Sequence, residues 1–371
     1  MDRAGLYIHV PFCKTRCPYC DFFSTTRRSL IPRWIEALLQ EASQYEGLFP
    51  SFDSLYLGGG TPSLLSPRQL EKLVRAMDSR FPFAADTEKT IEINPDDVTR
   101  EMIEALRALG FNRISLGIQS LDEADLRFLA RRHSVRDCLG SLDLVRDQGF
   151  DNLSVDLMYG LITQTPKEWL GTLQRILDFR PEHISCYQLT VKPGTPFHRL
   201  WTEGRLAPLP EETQSEFYTL TCSFLEGLGY GHYEVSNFSR SETLRSRHNS
   251  KYWHHAPYLG LGPSAHSFDG RFRWWNVRSV RAYCHALDQG RPAVAGREAL
   301  SEEQLLMERL LLGFRTRDGV PLGLVAGCDH ADRIVSELEG AGLITLQGGN
   351  LLPTQAGFLV ADSLPLLFLG V

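Results

Sequence analysis

Residues 7–20 read Tyr7-Ile8-His9-Val10-Pro11-Phe12-Cys13-Lys14-Thr15-Arg16-Cys17-Pro18-Tyr19-Cys20, and their reading decides how the rest of the chain is understood. A short apolar run that favours a strand leads into three cysteines within eight positions. Three thiolates that close in sequence must converge on something. Structural zinc usually takes four ligands, often from two separated C-x2-C pairs. A redox C-x2-C pair would leave one cysteine unused. A [4Fe–4S] cube held at three irons, its fourth iron open to a small chelating ligand, uses all three. Zinc completed by His9 or a distant residue stays the alternative. The other five cysteines, at 138, 186, 222, 284 and 328, stand singly. They read as small buried apolar residues, not as a disulfide framework.

Working outward, short apolar β-branched runs recur at 6–10, 54–57, 90–94, 113–117, 154–158 and 183–189. Their density suggests strands buried on both faces, as in a parallel sheet. Helical patterns separate them. Ser66-Pro67-Arg68-Gln69 is a capping box with proline at the first helical position, ahead of Leu70, Leu73, Val74 and Met77. Thr99 caps a second helix that carries Met102, Ile103, Leu106 and Leu109 and ends at Gly110. Six βα units in a row give an α/β fold, a partial (β/α)6 barrel in preference to an eight-fold one.

Beyond 190 the alternation loosens at Lys192-Pro193-Gly194-Thr195-Pro196. A helix fits 211–228, and an aromatic, histidine-rich stretch runs from Tyr230 to Trp275 with a hairpin expected at Asp269-Gly270. From about 300 a small α+β module follows: helices over 302–312 and 331–341, strands over 343–346 and 351–352 around Gly348-Gly349-Asn350, and a last helix after Thr354. Helices with a hairpin wing look winged-helix-like, but the segment lacks the basic stripe of a DNA reader. The expected divisions are 1–235, 236–300 and 301–371.

Composition excludes several function classes. Hydrophobic residues at 43% and charged residues at 23% are ordinary for a globular chain, which removes fibrous and disordered readings. The formal charge is −6 and no Lys/Arg block stands out, so nucleic acid is not the expected partner. No run of about 18 apolar residues occurs, leaving at most peripheral membrane contact. The residues before Cys13 hold too short an apolar core for a signal peptide, which points to the cytosol.

The spacing C-x3-C-x2-C after Tyr7-Ile8-His9-Val10-Pro11-Phe12 resembles the radical S-adenosylmethionine enzymes. In that family the open iron takes the amino and carboxylate groups of S-adenosylmethionine, and one electron from the cluster cleaves it to methionine and a 5′-deoxyadenosyl radical. The resemblance implies that Cys13, Cys17 and Cys20 ligate the cluster. Tyr7 and Tyr19 match tyrosines beside the bound cofactor. Gly59, Gly60 and Thr61, within the strand-end run Gly58-Gly59-Gly60-Thr61-Pro62, match the backbone that binds its amino group. Glu92, Gln119 and Asp156, polar residues at later strand ends, match contacts to its ribose, sulfonium and carboxylate, and Arg131 matches the family arginine. The alternative for these last residues is internal pairing, such as Glu92 with Arg131. Tyr187 and Gln188 are weaker matches.

More narrowly, the chain resembles two related groups, the oxygen-independent coproporphyrinogen III dehydrogenases and the HemW-type heme chaperones. The dehydrogenase pattern carries a further cysteine two residues after the third ligand, where this sequence has Phe22, and a long N-terminal extension, where only twelve residues precede Cys13. Arg247-His248-Asn249-Ser250-Lys251-Tyr252-Trp253 looks like the HNxxYW signature of the chaperones. A neutral imidazole is a good axial ligand for heme iron, and Tyr252 and Trp253 offer flat apolar surface to a porphyrin. The resemblance therefore implies heme as a third cofactor with His248 as its ligand, and His254, His255 and His266 as substitutes. It implies acceptor hemoproteins and an electron donor as partners. The competing expectations are oxidative decarboxylation of coproporphyrinogen III and a radical methyl transfer to a porphyrin-like substrate.

Overall fold

A computed structural model describes residues 3–369, so the outermost positions of the first and last expected divisions lie outside the described residues. Twelve strands form one sheet: β1 (Ala4–Val10), β2 (Phe52–Gly59), β3 (Phe83–Ile93), β4 (Arg113–Gln119), β5 (Leu153–Tyr159), β6 (His183–Gln188), β7 (Gly231–Glu234), β8 (Asn237–Ser239), β9 (Tyr258–Leu261), β10 (His266–Phe268), β11 (Phe272–Asn276) and β12 (Val294–Ala299). Their spatial order is β12-β11-β10-β9-β1-β2-β3-β4-β5-β6-β8-β7. Neighbours from β1 to β6 pair in parallel, and β8 and β7 close that end antiparallel. The sheet is an open α/β barrel of six βα units, as the alternation indicates.

The other end departs from local sequence logic. β9 pairs in parallel with β1, and β10 to β12 continue antiparallel from it. Four strands of the 236–300 division thus extend the main sheet at this end, while β8 lies at the other. The expected hairpin at Asp269-Gly270 joins β10 to β11. Residues after 300 form a separate three-stranded sheet, β13 (Val320–Pro321), β15 (Asn350–Pro353) and β14 (Ile344–Gln347) in that order, with their own apolar core around Leu310, Phe314, Val320 and Leu338.

Helix starts follow the sequence chemistry. Ser66 accepts from the Gln69 amide while the Gln69 side chain accepts from the Ser66 amide, and Thr99 accepts from the Met102 amide. The strands, however, are not apolar on both faces. Leu55 and Leu57, Ile91 and Ile93, Ile114 and Leu116, Val155 and Leu157 are buried in the core shared with Trp34, Leu38, Leu70 and Leu106 of the helices. The alternate positions, including Tyr56, Thr90, Glu92, Ser115, Ser154, Asp156, His183 and Ser185, line the barrel interior. Side chains of a strand alternate between faces, so an apolar outer face and a polar inner face interleave within each short run.

Candidate active site

The strand ends and the cysteine loop enclose two adjoining cavities. The barrel cavity measures about 360 Å³ and the loop cavity about 70 Å³. Tyr19, Cys20, Gly60, Thr61, Asn94 and Arg131 line both. All three cysteines of the triplet line the smaller one, and all are free thiols. Thr61 Oγ1 donates to Cys13 Sγ at 3.5 Å and Arg131 to Cys17 Sγ at 3.6 Å. Such donors stabilise thiolates and tune a bound metal centre. Among the described residues no three His, Cys, Asp or Glu side chains form a group that could hold one metal ion. A cluster differs from a single ion in that each thiolate binds its own iron. His9 does not line the loop cavity. Its Nε2 lies 2.8 Å from Phe23 O and its Nδ1 3.1 Å from Tyr7 Oη, so both nitrogens are engaged and the zinc alternative loses its nearby fourth ligand.

The glycine run has a steric cause. Gly59 sits at φ 104, a left-handed backbone, and a Cβ there would stand 2.5 Å from the His9 ring. At Gly60 a Cβ would lie 2.7 Å from Val10 O and 2.8 Å from Phe12 O. Only glycine lets this strand end cross the base of the cysteine loop. The Gly60 and Thr61 amides donate to those same Val10 and Phe12 carbonyls at 2.9 and 2.7 Å, fixing the loop to the strand.

Glu92 accepts from Tyr56 Oη at 2.8 Å and from the Gly59 amide at 3.2 Å. Burial, reinforced by the nearby Asp156 carboxylate, pushes its pKa up to about 7. Burial also raises Asp156, which accepts from Ser115 Oγ at 3.0 Å. Arg131 donates to Asn94 Oδ1 at 2.7 Å and Gly117 O at 2.8 Å. The expected alternative, Glu92 paired with Arg131, is not the arrangement found. Gln119 is held at φ 68 beside an irregularity in the β4–β5 pairing, strain of about 1–3 kcal/mol of the kind that gathers at functional sites. Arg131 Nε and Thr90 Oγ1 are buried without a hydrogen-bond partner, and both residues line the barrel cavity. A buried polar atom left unpaired costs about 1–3 kcal/mol, a cost that a polar ligand reaching these atoms would relieve. The thiol loop, the bare backbone and these unpaired donors fit a cluster with S-adenosylmethionine.

Two expected residues are placed otherwise. Tyr7 does not line the cavity. It packs behind Tyr56, ring centroids 6.1 Å apart, with its hydroxyl on His9. His248 lies fully in the interior, on the helix Arg247–Trp253. Its Nδ1 is 2.9 Å from Ser54 Oγ and its Nε2 2.9 Å from Tyr252 Oη, and burial pushes its pKa down to about 3. No ring nitrogen is free for iron in this arrangement. Tyr187 lines the barrel cavity, whereas Gln188 turns to Gln214. Phe22, 63% exposed, also lines the cavity mouth. Sequence reasoning missed Tyr56, Asn94, Arg113, Ser115 and His183, which complete the polar interior. Their signal was the period-2 alternation within runs scored as uniformly apolar.

The sequence matches the Radical SAM superfamily over residues 7–176 and the HemN C-terminal domain over residues 300–360. It is 34% identical to the heme chaperone HemW of Mycobacterium tuberculosis, covering 99% of this chain and 95% of that one. It is 36% identical to the heme chaperone HemW of Bacillus subtilis, covering 85% and 84%. The Bos taurus mitochondrial radical S-adenosyl methionine domain-containing protein 1 is 35% identical, covering 100% and 88%. Among solved structures, the coproporphyrinogen III oxidase HemN of Escherichia coli superposes with a TM-score of 0.83 at 24% identity, covering 99% and 90%. That likeness concerns the fold.

Proposed function

The chain belongs to the radical SAM superfamily and within it to the HemW group, and on that premise we propose that it is a heme chaperone, binding heme and handing it to acceptor hemoproteins in the cytosol. The observation that carries this reading is the near full-length similarity to proteins named heme chaperone HemW. Phe22 supports it, since it stands at the mouth of the cavity where the dehydrogenase pattern calls for a cysteine.

In this reading Cys13, Cys17 and Cys20 hold the [4Fe–4S] cluster. Tyr19, Gly59, Gly60, Thr61, Glu92, Gln119, Arg131 and Asp156 hold S-adenosylmethionine across the two cavities, with Tyr7 supporting them from behind. When bound, the pair supplies one-electron cleavage of the sulfonium, and a reductant that docks near the cysteine loop would drive it. Arg131 is already within reach of both a cluster cysteine and the strand end at Gly117, so it links the two. His248 would reach heme iron only by giving up Ser54 and Tyr252.

The test is product analysis under anaerobic conditions with a reductant, S-adenosylmethionine and coproporphyrinogen III, beside transfer of bound hemin to an apo-hemoprotein. Transfer without decarboxylated product is expected. Many turnovers of the porphyrinogen would make the chain a dehydrogenase.

A further inference from the structure

A third cavity, about 320 Å³, lies outside the barrel and shares no lining residue with it. It opens where the helix Arg247–Trp253 ends, beside β9 and β10, under the helix Glu302–Gly313 that begins the C-terminal module. Tyr252, Tyr258, Phe268, Leu311 and Leu312 give it flat apolar walls. Its volume falls within the range of about 300–1,000 Å³ of small-molecule sites.

One imidazole faces this cavity. His255 occupies the position after the helix C-cap at φ 52, the left-handed site that glycine usually takes. Its ring packs on Phe268, centroids 4.4 Å apart. Its Nε2 lies 2.9 Å from Glu308 Oε2, and Glu308 Oε1 accepts from Arg273 at 2.8 Å. A carboxylate paired with a guanidinium is acceptor-only, so His255 Nε2 carries the proton. Burial lowers the His255 pKa, which keeps the ring neutral. Nδ1 then bears a lone pair, and it has no hydrogen-bond partner among the described residues. An imidazole whose second nitrogen is fixed by a carboxylate is the arrangement found around metal-ligating histidines. Arg273 gives three donors to Glu298 and Glu308 and, of the five a guanidinium has, keeps two for an acidic substituent.

We propose that this cavity takes heme against its apolar walls, with His255 as the residue that would bind the iron and Arg273 as a donor that would meet an acidic substituent. The proposal rests on the chaperone reading and assigns its site. Heme held here is separated from the radical centre, and one wall of its site belongs to the C-terminal module.

Hemin titration of the full chain, followed in the Soret band, tests it. His255→Gly suits the backbone at φ 52 and removes the ligand. Its hemin affinity is expected to fall at least tenfold, about 1.4 kcal/mol, with iron–sulfur content unchanged, and millimolar imidazole is expected to restore the wild-type spectrum. If His255→Gly binds hemin with wild-type affinity and spectrum, the site lies elsewhere while the chaperone reading stands. If the wild-type chain binds no hemin, that reading falls and the site with it.

Discussion

His248 Nε2 and Tyr252 Oη, one turn apart on the same helix, meet at 2.9 Å. With Ser54 on the other ring nitrogen, the imidazole locks that helix onto β2. The same helix is capped by His254, and His255 just after it lines the outer cavity. The signature thus divides into a buried anchor, His248, and a cavity wall, Tyr252.

His248→Ala is therefore expected to act on stability. It leaves Ser54 Oγ and Tyr252 Oη unpaired, at about 1–3 kcal/mol each. Urea unfolding should show a loss of about 2–6 kcal/mol by that count, while hemin affinity of the folded fraction changes less than threefold. A selective loss of hemin binding at unchanged stability would return the ligand role to His248.

Gly60→Ala should damage the cluster without touching a thiol. The new Cβ meets two backbone carbonyls that cannot move independently of the cysteine loop. Anaerobic reconstitution of this variant is expected to retain well under half of the wild-type iron. Full iron content would show that the loop has slack the structure does not display.

Glu92 gives a pH signature in the cofactor-free chain. Its folded pKa near 7 exceeds the ordinary carboxylate value of about 4.3. Between those values the folded state binds more protons than the unfolded, so its stability contribution is full below the lower value and lost as pH rises through the higher. The buried histidines shift the other way, so the reading is a difference. Glu92→Gln should gain thermal stability relative to wild type between pH 5 and pH 8. A constant difference across that range would mean that Glu92 titrates normally.

Much of this was legible in sequence. The capping pairs at Ser66 and Gln69 placed a helix start to the residue, and the six apolar runs placed six parallel strands. The polar inner face was obscured because Tyr56, Ser115 and Asp156 alternate with Leu, Ile and Val in runs too short to separate two faces from one average. The pairing of β9 with β1 joins residues some 250 positions apart, and no local pattern encodes it. The Cys13-Cys17-Cys20 loop was plain because three thiols in eight residues have few other uses. The placement of His248 was not, since whether an imidazole points into the core or a cavity depends on how its helix docks.

Asp156→Ala should keep the iron and weaken S-adenosylmethionine binding at least tenfold. Truncating one member of a buried hydrogen-bonded charged set costs about 2–5 kcal/mol, and each 1.4 kcal/mol is about a decade in affinity. Replacing Cys13, Cys17 and Cys20 together should abolish iron binding, whereas replacing the buried Cys138 or Cys284 should not. Unchanged S-adenosylmethionine affinity in Asp156→Ala would make that carboxylate structural.

The most direct measurement of the central claim is a single anaerobic reaction containing the cluster-loaded chain, hemin, S-adenosylmethionine, a reductant and an apo-hemoprotein, assayed at once for heme transferred and for 5′-deoxyadenosine formed. The expected result is heme transfer near one per chain per cycle, with no stoichiometric consumption of S-adenosylmethionine. The contradicting result is no transfer, or transfer only in proportion to the 5′-deoxyadenosine released.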